Sequence, residues 1–262
     1  MKLSLENKII VVSGGAKGIG KEICKVLAQE GAVPVIIDRC EKDNLQAQEE
    51  IARTGGNAFQ IVAELTKPDA CQNAINIAIQ RFGRIDGLVN NAGLNDGIGL
   101  ENGSYQGFID SLHRNLIHYY LLAHHALPEL KKTNGPIVNI SSKTAETGQG
   151  ETSGYAAANG GRNALTREWA VELLKYSIRV NAVIVAECWT PQYENWVNSM
   201  SDPKLKLKEI TSRIPFQHRM TTTEEIGNMV CFLLSERSSH TTGQLIHVDG
   251  GYVHLDRALI KE

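Results

Sequence analysis

Three glycines, Gly14, Gly18 and Gly20, stand in SGGAKGIGKEI with the spacing G-x-x-x-G-x-G, where the apolar run KIIVVS gives way to a helical pattern. Glycine at such a turn lets the backbone fold tightly and approach a pyrophosphate, whose charge then meets the unpaired N–H groups at the helix start. Lys17 and Ile19, set between the glycines, belong to the same expected cradle. An ordinary tight turn could use the same glycines, so the next apolar run matters. VPVIID ends at Asp38, 38 − 20 = 18 residues beyond Gly20. An acidic side chain there accepts hydrogen bonds from an adenosine ribose and repels a 2′-phosphate, which favours NAD over NADP. Arg39 follows at once and would greet that phosphate, so NADP stays possible. Glu64 and Leu65 end a third run, and Asn91, Ala92 and Gly93 end a fourth, completing the expected nucleotide side.

The elements that must hold these groups are legible as seven short runs: KIIVVS, VPVIID, FQIVAEL, GLVNNAG, PIVNISS, IRVNAVIV and QLIHVDG. Their continuous apolar character predicts strands buried on both faces. Helical patterns fill the gaps, as in GIGKEICKVLAQEG, where Ile19, Ile23, Val26 and Leu27 share a face and Gly31 marks the stop. A repeating β-α order with right-handed crossovers predicts an α/β, doubly wound Rossmann sheet, parallel and seven-stranded, with helices on both faces. One domain over residues 1–262 is expected. The stretch from Thr190 to about Thr222 lacks a strand and carries Trp196, Met200 and Met220, so it reads as a helical flap over the crevice.

Composition narrows the partners. With 27 Lys+Arg against 29 Asp+Glu the net charge is −2, and no long basic run or zinc-finger spacing appears, so neither nucleic acid nor membrane is expected. The first apolar run is four residues, short for a signal sequence or a span, and predicts a cytoplasmic protein. Five scattered cysteines read as reduced thiols. His124 and His125 are adjacent on a predicted helix and point about 100° apart, so no metal site is expected.

The glycine turn, Asn90-Asn91-Ala92-Gly93 and the late Asp249-Gly250-Gly251 together resemble the short-chain dehydrogenase/reductase family, over essentially the whole chain. A narrower likeness, carried by NAGLNDGIGL, RNLIHYYLLAHH, NISSKTAETGQGETSGY, ALTREWAVEL and DGGYVHLDRAL, is to the L-fucose dehydrogenase group of aldose dehydrogenases. The resemblance implies a catalytic set of Asn115, Ser142 and Tyr155, the last two 155 − 142 = 13 residues apart. The family's fourth member is a lysine, and here that position is Asn159; Val185 also stands where such enzymes have proline. The resemblance further implies that Tyr155, Asn159, Cys188 and Thr190 touch the cofactor, and that the protein is a homotetramer built on the helices containing Asn115 and Tyr155.

The implied reaction removes a proton from a sugar hydroxyl while hydride leaves carbon. A free tyrosine ionises near pH 10, so a phenol needs a neighbouring cation to accept that proton near neutrality. Asn159 carries no charge, and turnover is expected to fall by ~10²–10⁴-fold, the usual contribution of a positioned acid/base group. Lys143, beside Ser142, either points into the site as a substitute or sits on the surface. For an aldose, the expected polar partners are Asn95, Asp96, Lys143, Gln149, Glu151, Thr152 and Glu187, with Ser142 and Tyr155 at the reacting hydroxyl. Trp189, Tyr193 and Trp196 pack either on the sugar ring or within the flap's own core. The competing reading is a cofactor- or sugar-binding protein that has lost turnover.

Overall fold

Apolar runs without alternation leave no face for water, and their strands must be covered on both sides. The computed structural model describes residues 2–255; Asp256 to Leu259, the end of the motif DGGYVHLDRAL, lie outside the described residues. All seven runs form strands: β1 (Ile9–Ser13), β2 (Val33–Asp38), β3 (Phe59–Val62), β4 (Gly87–Asn90), β5 (Ile137–Ser142), β6 (Val180–Val185) and β7 (Leu245–Val248). They pair in parallel in the order β3-β2-β1-β4-β5-β6-β7. β1, β4, β5 and β6 are buried at every residue, as central strands between two helical layers should be.

The helices are α1 (Gly18–Gln29), α2 (Glu41–Arg53), α3 (Pro68–Phe82), α4 (Tyr105–Leu112), α5 (His118–Thr133), α6 (Ser153–Glu172), α7 (Pro191–Asn198), α8 (Pro203–Ser212) and α9 (Thr223–Leu234). Because successive strand residues face opposite ways, β1 divides its side chains between two cores. Ile10 and Val12 pack with Ile23 and Leu27 of α1 and with Ile226 and Val230 of α9. Ile9 and Val11 pack on the other side, with Ile75 of α3, Leu122 of α5 and Trp169 of α6. Among the described residues no helix is long and apolar enough to cross a membrane.

Two strands end earlier than their apolar patterns suggest, and both departures shape the ligand edge. FQIVAEL leaves the sheet after Val62, where Glu64 turns the chain by accepting from the Thr66 N–H and hydroxyl. GLVNNAG leaves it after Asn90, because the N–H groups of Asn91 and Ala92 donate to the Ser13 hydroxyl at 2.9 and 3.1 Å instead of to a neighbouring strand. The sheet order reverses direction between β1 and β4, and the crevice opens outside the carboxyl ends of these strands.

Gly20 is fixed by space. A Cβ there would lie 2.0 Å from the Gly14 carbonyl oxygen and 2.5 Å from the Asn91 amide nitrogen. Gly20→Ala should therefore lower stability by roughly 1–3 kcal/mol, the usual cost of overpacking. Urea denaturation checks this, and an unchanged midpoint would show that the turn relaxes around the added carbon.

Candidate active site

The nucleotide side is built by zipping two strand ends together. Asn91 Nδ2 donates to the carbonyls of Ser13 and Gly14 at 3.0 and 3.1 Å, so β1 and β4 finish side by side. Gly14 then takes φ +64° and Gly18 φ +53°, conformations that favour glycine. α1 begins with no side-chain cap and no acidic residue in its first turn, so its leading N–H groups remain available to an anion. At the end of β2, Asp38 Oδ1 accepts from the Arg39 N–H at 2.7 Å. The Arg39 guanidinium is drawn toward Glu64, 3.7 Å away, and Lys17 is paired with Asp43 at 2.6 Å. That pairing raises the Lys17 pKa and lowers that of Asp43. A turn with no room for Cβ, free N–H groups and a terminal carboxylate fit a dinucleotide. Gly14, Lys17, Gly18, Ile19, Gly20, Asp38, Arg39, Glu64, Leu65, Asn91, Ala92, Gly93, Cys188 and Thr190 all line one crevice of about 1460 Å³.

Two of the expected catalytic residues lie on the same crevice. Ser142, at the end of β5, and Tyr155, in the first turn of α6, both line it. Ser142 Oγ accepts from the Thr144 N–H at 3.3 Å, which leaves its own proton to donate. Asn159 departs from its expected place. It is fully buried and turned inward, with Nδ2 donating to the Tyr155 carbonyl at 2.8 Å and Oδ1 accepting from Arg162 Nη1 at 3.0 Å. That amide is committed to its own helix and is not presented to a ribose. Asn115 is also inward, in a π-type turn at His113–Ile117. Its Oδ1 accepts from the Leu94 N–H at 2.8 Å, which fixes the loop after Gly93.

Of the residues expected to meet a substrate, Asn95, Gln149, Glu151, Thr152, Glu187, Tyr193 and Trp196 line the crevice with Lys143. Lys143 is no surface lysine: it is buried, paired with Glu187, and lies 4.1 Å from the centre of the Tyr252 ring. The other Glu187 oxygen accepts from the Tyr193 hydroxyl, and burial beside that carboxylate pushes the Tyr193 pKa up, so it stays a donor. Two expected contacts lie elsewhere. Asp96 is held by Arg114 at 3.0 Å and by the Ser111 hydroxyl at 2.9 Å, so it braces a loop. Trp189 sits behind Tyr193, with ring centres 6.3 Å apart, outside the lining. α7 and α8 border the crevice, and the chain leaves and rejoins through a Cys188–Thr221 bridge. Away from the crevice Glu146, His247 and His254 bring potential ligand atoms within 4.8 Å of one another, a cluster that sequence spacing did not suggest.

A family model described as Enoyl-(Acyl carrier protein) reductase matches residues 14–253. The chain belongs to the short-chain dehydrogenase/reductase family. It is similar to L-fucose dehydrogenase of Rattus norvegicus, at 35% identity over 93% of this chain and 88% of that protein. It is also similar to the 3-oxoacyl-[acyl-carrier-protein] reductase FabG of Thermotoga maritima, at 34% identity over 96% and 100%. Among solved structures, that of Cj0485 dehydrogenase superimposes with a TM-score of 0.93 at 43% identity, covering 98% of each chain. The protein is accordingly an NAD(P)-dependent oxidoreductase of the short-chain dehydrogenase/reductase type.

Residues that sequence reasoning missed are Arg162, His118, Arg114 and Tyr252, all on the crevice wall of this dehydrogenase/reductase. A signal existed for one of them. Arg162 is 162 − 155 = 7 positions after Tyr155, two helical turns along the same face. His118 gave no such signal: it follows directly on the π-type turn at His113–Ile117, which the sequence pattern does not announce.

His118 Nε2 lies 2.9 Å from the Arg114 carbonyl, while Nδ1 has no partner among the described residues. Burial pushes its pKa down to about 4, with the Arg162 charge acting in the same direction. The native state therefore keeps His118 neutral between about pH 6.5 and 4, where the unfolded chain takes up a proton. This contribution to stability is complete above pH 6.5 and is lost as the pH falls toward 4, on the order of 3 kcal/mol in all. In urea titrations His118→Gln should lose less stability than the parent over that interval. Parallel curves for the two proteins would contradict the assignment.

Proposed function

We propose that this oxidoreductase oxidises a neutral aldose, such as L-fucose, at the anomeric carbon to its lactone, with NAD preferred over NADP. The observation that carries this reading is the continuity of one crevice. It starts at the glycine turn and Asp38, passes Ser142 and Tyr155, and ends among Gln149, Glu151, the Lys143–Glu187 pair and the Trp196 ring. Similarity to L-fucose dehydrogenases supports the substrate class. When bound, the nicotinamide supplies the hydride acceptor. Ser142 Oγ–H donates to the anomeric oxygen and fixes its position, while the phenolic oxygen of Tyr155 accepts the proton released there. The Lys143–Glu187–Tyr193 cluster offers paired donors and acceptors for the remaining hydroxyls, and Trp196 gives an apolar face for the ring. α7 and α8 act as the flap that excludes water, and the protein works in the cytoplasm as a homotetramer. Exposed apolar side chains on the outer faces of α4, α5 and α6, among them Tyr105, Tyr120 and Val171, support that assembly.

Asn159 favours a second reading. If no other cation serves Tyr155, turnover drops by the ~10²–10⁴-fold expected for a crippled acid/base group, and the protein binds sugar or cofactor without processing them.

NADH formation measured over a panel of aldoses, alongside cofactor calorimetry, tests both. Turnover should be found with L-fucose or a stereochemical relative. NAD should bind at least about tenfold more tightly than NADP, a difference of roughly 1.4 kcal/mol, and Asp38→Ala should narrow that gap. Equal affinities in the parent protein would mean that Arg39, despite its lean toward Glu64, governs the choice. Cofactor binding with no turnover on any aldose would favour the binding-protein reading.

A further inference from the structure

We infer that Arg162 supplies the fixed positive charge that lets Tyr155 work as a proton acceptor, in place of the lysine that Asn159 replaces. Arg162 is only 2% exposed, yet among the described residues no carboxylate lies within 4.0 Å of it. Nε donates to the Asn115 carbonyl at 2.6 Å, and Nη1 to the Ile140 carbonyl at 3.2 Å and to Asn159 Oδ1 at 3.0 Å. Among the described residues Nη2 is buried without a partner. A Cβ at Gly93 would stand 2.6 Å from Nη2, so this nitrogen lies directly beneath the crevice floor. The guanidinium carbon is 6.0 Å from the centre of the Tyr155 ring.

A buried charge without a counter-ion is costly unless something nearby becomes its counterpart. The acidic group that the mechanism supplies is the Tyr155 phenol. An opposite charge close by favours the ionised form of such a group. Asn159 then has a defined role as a positioning residue: its Oδ1 holds Nη1, which a lysine at that position would instead repel. The cation has moved three residues along α6.

Other groups facing Tyr155 and Arg162 do not compete. On α5, His118 is kept neutral by burial, and Tyr119, whose hydroxyl donates to the Ile140 carbonyl at 3.0 Å, is kept protonated by burial. Lys143 is compensated by Glu187, which also holds the hydroxyl of Tyr193 on α7. Tyr252 lies against Lys143, and Glu151, before α6, is exposed.

This inference rests on Tyr155 as the proton acceptor, so its test includes a readout that needs no turnover. Phenolate difference absorbance, taken as the parent minus Tyr155→Phe, gives the titration midpoint of this one residue. In Arg162→Met the midpoint should rise by one unit or more, and the pH profile of NADH formation should shift upward with it. Arg162→Lys should hold the midpoint near the parent value, and Asn159→Lys/Arg162→Met should return it there. Asn159→Lys alone, which places two cations side by side, should be no faster than the parent. A parent without turnover on any aldose, but with a midpoint that follows Arg162, would sink the substrate reading and sustain the charge assignment. An unmoved midpoint in a folded Arg162→Met, or a rate gain of about 100-fold in Asn159→Lys alone, would overturn it. Should Arg162→Met fail to fold, the Asn159→Lys and Arg162→Lys variants still decide the question.

Discussion

The Arg162 guanidinium joins three elements at the place where the sheet, the long helix and the π-type turn meet. From α6 it reaches the carbonyl of Asn115 in the turn and that of Ile140 in β5, and it takes the side chain of Asn159 from its own helix. Below it the buried polar column continues, from the Arg162 carbonyl to Thr166, then to Asn139 in β5 and Asn90 in β4. Groups buried in this way are tolerated only when their hydrogen bonds are made, which restricts how α6 can sit on the sheet. The position of Tyr155, two turns before Arg162, follows from that restriction. So does the position of Gly93, whose missing side chain gives the guanidinium its room.

The crevice divides its charges in space. At the nucleotide end each cation has an acidic neighbour, Lys17 with Asp43 and Arg39 with Glu64, and these pairs are largely exposed, so each is worth little by itself. They matter by directing side chains away from the Asp38 carboxylate. At the other end the Lys143–Glu187 pair is buried, and its removal from water is offset only while both partners and the Tyr193 hydroxyl remain in contact. The phenol sits between these regions, near the one buried guanidinium that, among the described residues, has no acid beside it.

How much of this was legible in the sequence depended on whether a feature is local. Strands were readable because runs such as IIVVS and VNAVIV leave no face for water, and Asp38 because it ends one of them. The glycine turn was readable because steric demand fixes residue type. Long-range contacts were not: Lys143 and Glu187 are 44 positions apart, and nothing in either segment announces that they meet. Asn159 was legible as an identity but not as an orientation, since an asparagine can face a ribose or its own helix equally well. Arg162 had the right spacing, 162 − 155 = 7 positions after Tyr155, but an arginine on a helix is usually a solvated charge, and only the fold shows that this one is buried.

Arginine suits such a relocation better than a second lysine would. Its guanidinium stays protonated at any pH the enzyme meets, and its five N–H groups in a rigid fork can hold three acceptors and still leave one nitrogen free beneath the crevice. Lysine, ionising near pH 10.4, would lose charge at the alkaline values where a phenolate is easiest to form. A fixed cation beside a phenol favours its ionised form, which is what a proton acceptor needs. That effect is kept only if no second cation shares the space. Both neighbours meet the condition: His118 remains neutral because burial forbids its charge, and residue 159 is an amide. On this view the missing lysine is what allows a buried arginine, since the two could not occupy adjacent positions on this face without repelling each other away from the phenol.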